Sequence, residues 1–357
     1  NCDAVCPGWG FISEDPMFVA KLEENDITFL GPSAASMQQL GDKIASKYMA
    51  EACDVPLAAW CEVTETMDEA QLTAEAKRIG FPLMVKASAG GGGRGIRKVN
   101  RIEDLRDSLT QVRDEVARVF GQGGILMEAC IMDARHIEVQ IVADAHQNAY
   151  ALGVRDCSIQ RRNQKVIEEA PSPILPVEIR QRLCDSSERI AKKSGYVGVA
   201  TAEFLYQPAT GLCSFLEVNS RLQVEHTITE AITGRDLVKL QIAIAQGKEC
   251  PRGTIDQRGH AIELRLNAEN PEKGFQPSPG LLKLVNYPSG PGIRIDSGVC
   301  EGMEISPHFD SMIAKVIIWG EDRAQAIARA QRACNELEVV VQDGATNQNF
   351  IQSILAN

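Results

Sequence analysis

The chain has 357 residues, 44% of them apolar and 24% charged, enough for two or three domains of ordinary globular composition. Its net charge of −11 and pI near 5.1 exclude a general nucleic-acid or anionic-membrane surface, because such surfaces need a basic field. Eleven cysteines without a Cys-x-x-Cys pair, and only five histidines, point away from a disulfide framework or a zinc site and towards reduced thiols in a cytosol-like compartment. No apolar run approaches the length of a membrane span and no signal-like segment leads the chain, so neither is expected here.

The first residues lack Met and run into Pro7-Gly8-Trp9-Gly10 like the end of a buried strand. That reads as a chain cut inside a domain, with any targeting peptide or first phosphate loop upstream. Residues 16–25 pattern as a short helix and 27–32 as a strand ending in a turn, the tail of an α/β unit. Residues 33–54 are helical, with Met37, Leu40, Ile44 and Tyr48 three and four apart. Gly41-Asp42-Lys43 interrupts them, so Lys43 opens a second half-helix; alone, such a lysine is usually a solvated side chain.

Residues 69–79 form an amphipathic helix and 83–87 a strand. The stretch Ser88-Ala89-Gly90-Gly91-Gly92-Gly93-Arg94-Gly95 follows, then a second strand over 96–99. Free backbone N–H groups at Gly91, Gly92 and Gly93, with Lys86 before the loop and Arg94 inside it, suit a phosphate. The loop leads into a strand rather than a helix, so it is not a Walker loop, and a strand-loop-strand flap is expected. A flexible linker is the competing reading.

A helix is expected over 102–120 and an apolar strand over 125–131, with Glu128 its one polar group, where a purine could lie between apolar side chains. Residues 135–142 alternate as an antiparallel strand does, and His136 shares its face with Glu138 and Gln140. That histidine suits a satisfied sheet position as well as a ligand contact. Residues 156–165 form the most basic polar cluster in an acidic protein; a solvated loop and an anion site are both open there.

The segment from Phe215 to His226 alternates throughout, so an extended chain puts Glu217, Asn219, Arg221, Gln223 and Glu225 on one face. Residues 199–206 read as its hairpin partner. If Tyr206 faces Ser214, the constant number sum of an antiparallel pair sets Glu203 opposite Glu217. Like charges about 4 Å apart repel by roughly 4 kcal/mol at an effective dielectric of 20, so a cation is expected between them. A hard divalent ion suits such oxygens, against the plainer reading of two solvated glutamates. Beyond this, 236–246 reads as a scaffold helix and 261–267 as a strand with Glu263, Arg265 and Asn267 on its polar face. The Gly/Pro-rich stretch 274–302, a strand over 312–319 and a helix over 323–336 complete the pattern.

Together the glycine loop, Met127-Glu128, Arg135-His136-Ile137-Glu138, Arg155 to Arg162, Glu168-Glu169-Ala170-Pro171 and the segment Glu217 to His226 resemble the biotin carboxylase branch of the ATP-grasp fold. The resemblance runs from Pro7 to the end. It implies an α/β (α+β) ATP-grasp fold with a remnant of an N-terminal Rossmann-like domain (1–57), a small lid subdomain (58–130), and a core with a C-terminal mixed-sheet domain (131–357). Lys43, Lys86, Gly91, Gly92 and Gly93 become phosphate contacts, Glu128 and Ile131 adenine contacts, and His136, Gln160 and Asn163 nucleotide contacts. Glu203 and Glu217, with Asn219 beside them, become metal ligands. Lys165, Arg221, Gln223 and Val224 become the bicarbonate pocket, with Glu225 as the base and Arg265 on the ureido oxygen of biotin. The sequence departs from the family at Cys6, Trp9, Asn163 and Ser220, where His, Tyr, His and Thr are commoner, so the aromatic contact near biotin becomes Trp9.

The implied reaction uses ATP, Mg²⁺ or Mn²⁺ and bicarbonate to make carboxyphosphate, then carboxybiotin on a carried biotin. Implied partners are a biotin carboxyl carrier domain, a carboxyltransferase and a second copy of the chain, with no nucleic acid and no membrane, in the cytoplasm or mitochondrial matrix. Another ATP-grasp amide or carbamoyl ligase, and a nucleotide-binding piece without turnover, remain the alternatives.

Overall fold

Local signals fix the first elements. Asp15 accepts hydrogen bonds from the Met17 and Phe18 N–H groups, and Pro16 occupies the first helical position, so α1 (Pro16–Glu23) starts there. It lies between β1 (Ala4–Val5) and β2 (Thr28–Phe29), which pair in parallel. Asp42 (φ −80°, ψ 123°) ends α2 (Ala34–Gly41) and caps α3 (Lys43–Ala52) by accepting from the N–H groups of Ile44 and Ala45. Lys43 therefore does open the second helix.

The computed structural model describes residues 2–89, 95–119, 123–251 and 255–357. It comprises two compact units, each made of three chain segments: 1–152, 174–223 and 237–252 in one, and 153–173, 224–236 and 253–357 in the other. Among the described residues no helix is long and apolar enough to cross a membrane.

In the first unit a four-stranded antiparallel sheet has the order β3 (Trp60–Val63), β6 (Ile125–Ala129), β4 (Leu83–Ala87), β5 (Ile96–Val99). Helices α4 (Glu69–Ile79) and α5 (Leu105–Val119) cover it. Leu105, Leu109, Val112 and Val116 form the buried stripe of α5 against Leu83, Val85, Val99 and Met127. Each such buried aliphatic group contributes about 1.5–3 kcal/mol. The expected helix over 102–120 begins as a 3₁₀ turn, and its α-helical part starts at Leu105. The expected strand stops at Ala129, so Ile131 lies beyond it. The flap strands β4 and β5 pair antiparallel, while Gly91, Gly92 and Gly93 lie outside the described residues.

Strand β7 (Arg135–Ala143) pairs with β10 (Gly198–Gln207), which pairs with β11 (Leu212–Asn219). The alternation in β7 does not mark a solvent face: Glu138 and Gln140 are 0% exposed, and α6 (Val177–Lys193) packs on the strand. The hairpin register also departs from the expectation. Tyr206 faces Cys213 rather than Ser214, and a bulge between Glu203 and Phe204 absorbs one residue, so that Glu203 still faces Glu217. The extended segment ends at Asn219; residues 220–225 are irregular and α7 (His226–Thr233) begins at His226. Helix α8 (Leu237–Ala245) packs on β10.

In the second unit, β8 (Ala149–Arg161, of which the residues from Gly153 belong here) and β9 (Gln164–Ala170) form a hairpin. Its turn residues Arg162 and Asn163 take φ 49° and 64°. The basic stretch 156–165 is thus mostly strand, not a solvated loop. Next come β12 (His260–Asn267) and the strands Met312–Gly320 and Ile293–Ser297, all antiparallel. Helix α7 and the helix Arg323–Glu336 pack on these strands. Their core joins Ile167, Ile262, Leu264, Val316 and Ile318 to Ala326, Ala330 and Ala333.

Candidate active site

The first unit holds a carboxylate cluster. Antiparallel register places Glu203 of β10 against Glu217 of β11 on one side and Glu138 of β7 on the other. Asn219 Nδ2 donates to Glu203 Oε1 at 2.9 Å. His136 Nε2 lies 3.1 Å from Glu203 Oε2 and 3.4 Å from Glu138 Oε1, and Lys43 Nζ lies 3.8 Å from Glu217 Oε2. Burial disfavours a charged imidazole, but Glu203 and Glu138 outweigh it and hold His136 up at about 10. Loss of water, then the facing Glu203, pushes the Glu217 carboxyl above its ordinary range. The cluster's donors are carboxylate and amide oxygens, so it fits a hard divalent cation.

A second group is centred on Glu128, 5% exposed on β6. Lys47 of α3 approaches its Oε2 at 2.6 Å, and Lys86 of β4 contacts its Oε1. Burial alone would raise this carboxyl; Lys86 and Lys47 more than reverse that and hold it at about 2. Lys47 also lies over the Trp60 ring, 5.8 Å from its centroid.

Ser220 and Arg221, just past β11, are organised by an early residue of the chain. Glu14 accepts the Ser220 N–H and the Arg221 Nε–H, each at 2.9 Å. Arg221 also donates to Gln223 Oε1 at 3.2 Å and Asn219 Oδ1 at 3.3 Å. Its fork is therefore aimed by carboxylate and amide partners. Trp9, in the segment ahead of α1, is 41% exposed.

The second unit holds a buried carboxylate flanked by cations. Glu225, 0% exposed, precedes α7 without using its side chain as a cap. Its Oε1 accepts from Lys165 Nζ at 2.7 Å and its Oε2 from Arg265 Nη2 at 2.9 Å. Arg265 Nε donates to Glu168 Oε1 at 2.6 Å. Burial opposes the Arg265 charge, yet Glu168, Glu225 and Glu263 together hold it more firmly protonated than usual. Glu168 and Glu263, opposite each other on β9 and β12, are pushed up by burial to about 8 and about 7. Gln160 donates to the Cys157 carbonyl at 2.7 Å, and exposed Asn163 forms the β8–β9 turn.

The sequence-expected residues thus fall into separate groups: Lys43, His136, Glu203, Glu217, Asn219, Arg221 and Gln223 in one unit, with Lys86 joined to Glu128; Lys165, Glu225 and Arg265 in the other. Lys86 meets Glu128 directly, where the resemblance implied a phosphate contact and an adenine contact. Sequence reasoning missed Glu14, Lys47 and Glu168. A glutamate in the early loop, a lysine one turn beyond Lys43 and a carboxylate ahead of Ala170-Pro171 carry no periodic signal of their own.

Three family models match in chain order: the biotin carboxylase N-terminal domain over residues 1–37, the ATP-binding domain of the carbamoyl-phosphate synthase L chain over 42–252, and the biotin carboxylase C-terminal domain over 263–357. Biotin carboxylase 1 of Bacillus subtilis is 44% identical over 94% of this chain and 75% of its own length. The biotin carboxylase of Haemophilus influenzae is 40% identical over 99% of this chain and 83% of its own. Among solved structures, the biotin carboxylase domain dimer of Hydrogenobacter thermophilus 2-oxoglutarate carboxylase, in complex with MgADP, ADP and bicarbonate, superposes with a TM-score of 0.93. It is 39% identical and is matched over 99% of this chain and 78% of that one.

Proposed function

The chain belongs to the biotin carboxylase family, and from that premise we propose that it carboxylates biotin with bicarbonate at the expense of ATP. The observation that carries the reading is Glu225, a buried carboxylate with one oxygen on Lys165 and the other on Arg265. Bicarbonate is a poor electrophile and must be activated. A bicarbonate oxygen attacks the γ-phosphorus of ATP, the bond to ADP breaks, and carboxyphosphate forms; it splits into CO₂ and inorganic phosphate, the phosphate takes the ureido N–H proton of biotin, and the nitrogen bonds to the CO₂.

Each group of residues has a part in this scheme. Arg221, steered by Glu14, matches a planar oxyanion, and Glu225 takes the bicarbonate proton. Arg265 stabilises charge on the ureido oxygen, and Lys43, Lys86 and Lys165 offset phosphate and carboxylate charge. Glu203, Glu217 and Asn219 would hold a divalent cation, which supplies charge neutralisation to the phosphates. The carboxyl acceptor is the business of separate carrier and carboxyltransferase components, and by analogy with the dimeric relative a second copy of the chain is a partner.

The test is phosphate release from ATP as a function of bicarbonate, with and without free biotin, in wild type, Glu225→Gln and Glu203→Gln. Biotin-stimulated release that both substitutions abolish is the expected result. The model over residues 42–252 is shared with carbamoyl-phosphate synthase, so turnover that needs an amine rather than biotin would replace this reading with a carbamoyl or amide ligase.

A further inference from the structure

Lys315 has no part in the scheme above. It stands on the strand Met312–Gly320 with 3% of its surface exposed. A lysine is rarely that deep without a reason, because its ammonium loses hydration and its long side chain loses freedom. Its Nζ donates to the Val224 carbonyl at 2.7 Å and lies 3.7 Å from Asp296 Oδ2. Val224 is the residue immediately before Glu225.

The same turn is held at a second point. Two residues after Glu225, Thr227 Oγ1 donates to Glu263 Oε2 on β12. One turn further along α7, Glu230 Oε2 accepts from Arg294 Nη1 at 2.7 Å, and Arg294 Nε in turn holds Asp296 Oδ1 at 2.8 Å. The backbone at Glu225 (φ −80°, ψ 11°) has no side-chain cap of its own. Glu225 therefore depends on its neighbours for where its carboxylate points.

We propose that Lys315 is a positioning residue: through the Val224 carbonyl it fixes the turn that carries Glu225, so that the carboxylate meets Lys165 and Arg265 and the bicarbonate-binding backbone at Val224 stays in place. This rests on the carboxylation reading and deepens it, by naming a determinant of bicarbonate handling outside the reacting groups. A bland role, charge balance for Asp296 and Glu263 alone, predicts a change in stability without selectivity among substrates. Positioning predicts selectivity.

The experiment compares full-length wild type with Lys315→Met and Lys315→Arg in bicarbonate-dependent phosphate release from ATP with biotin, alongside thermal melting. A lost buried hydrogen bond to the turn raises KM for bicarbonate and lowers kcat/KM for bicarbonate by roughly tenfold, with KM for ATP unchanged. Lys315→Arg, which keeps the charge and a donor, restores most of the loss. A folded Lys315→Met with wild-type bicarbonate kinetics, or one whose ATP and bicarbonate KM values rise together, overturns the proposal. Should Lys315→Met fail to fold, Thr227→Val removes the second clamp and is judged by the same selective rise in bicarbonate KM. Wild-type turnover that ignores bicarbonate would instead overturn the carboxylation reading, and this inference with it.

Discussion

Glu128 illustrates how a single buried charge is made tolerable. Removing a carboxylate from water is costly, and here two ammonium groups from different elements offset that cost. An unfolded glutamate titrates near 4.3, whereas in the fold Glu128 titrates at about 2. Its folded pKa is depressed, so its contribution, roughly 3 kcal/mol, is present in full above about pH 4.3 and is lost as pH falls towards 2. Lys47→Met leaves Lys86 alone against burial. We expect a loss of about 1–3 kcal/mol at neutral pH and an acid-unfolding midpoint displaced to higher pH, read by circular dichroism across a pH series. A wild-type acid midpoint in that variant would refute the pairing. Glu128 and Lys86 were legible in the sequence because each breaks an apolar strand. Lys47 was not, since one lysine on an amphipathic helix looks like any other. Glu14 was not, because its partners Ser220 and Arg221 lie 206 and 207 residues away.

At the level of elements, the sequence was readable where local geometry and side-chain period agree. Helix α4 starts at Asp68, whose side chain accepts from the Gln71 N–H at 2.8 Å while Gln71 Oε1 accepts from the Asp68 N–H at 2.9 Å. Asp68 is exposed, so Asp68→Ala alters the cap and little else. It should cost about 1 kcal/mol and speed amide exchange over 69–79, while Asp68→Asn stays close to wild type. Equal exchange in Asp68→Ala and wild type would refute the cap's contribution. Period alone misled beyond Asn219. Arg221, Leu222 and Gln223 keep the alternation of the strand, but Glu14 takes the Ser220 amide and the Arg221 guanidinium, and the backbone leaves the sheet. Pairing arithmetic misplaced Tyr206 by one residue for a similar reason. A bulge puts two residues of one strand against one of the other, and a constant number sum does not anticipate it.

On the scale of the molecule, an acidic chain binds anions only where cations are concentrated, and the sequence order of its motifs showed the family without showing how the units are made. Residues 153–173 and 224–236 belong with the C-terminal region, the first through the pairing of β9 with β12 and the second through the packing of α7 on those strands, although each is bracketed by chain of the other unit. Ligand linkage tests the ionic arrangement without any turnover. A ligand that binds only the folded state at a hundred times its Kd stabilises it by about 2.7 kcal/mol, which raises the melting temperature measurably. Under the proposed function Lys43 and Lys86 alone give ATP some purchase, but Glu203 and Glu217 repel the phosphates unless a divalent cation intervenes. Mg²⁺ with ATP should therefore raise the melting temperature of the wild type well beyond ATP with a chelator. In Glu203→Gln one repulsive charge is gone and one anionic ligand with it. The increment due to Mg²⁺ should shrink while the shift from ATP alone is kept or grows. A wild type that melts identically with and without Mg²⁺ at saturating ATP would mean that the facing glutamates do not hold a metal.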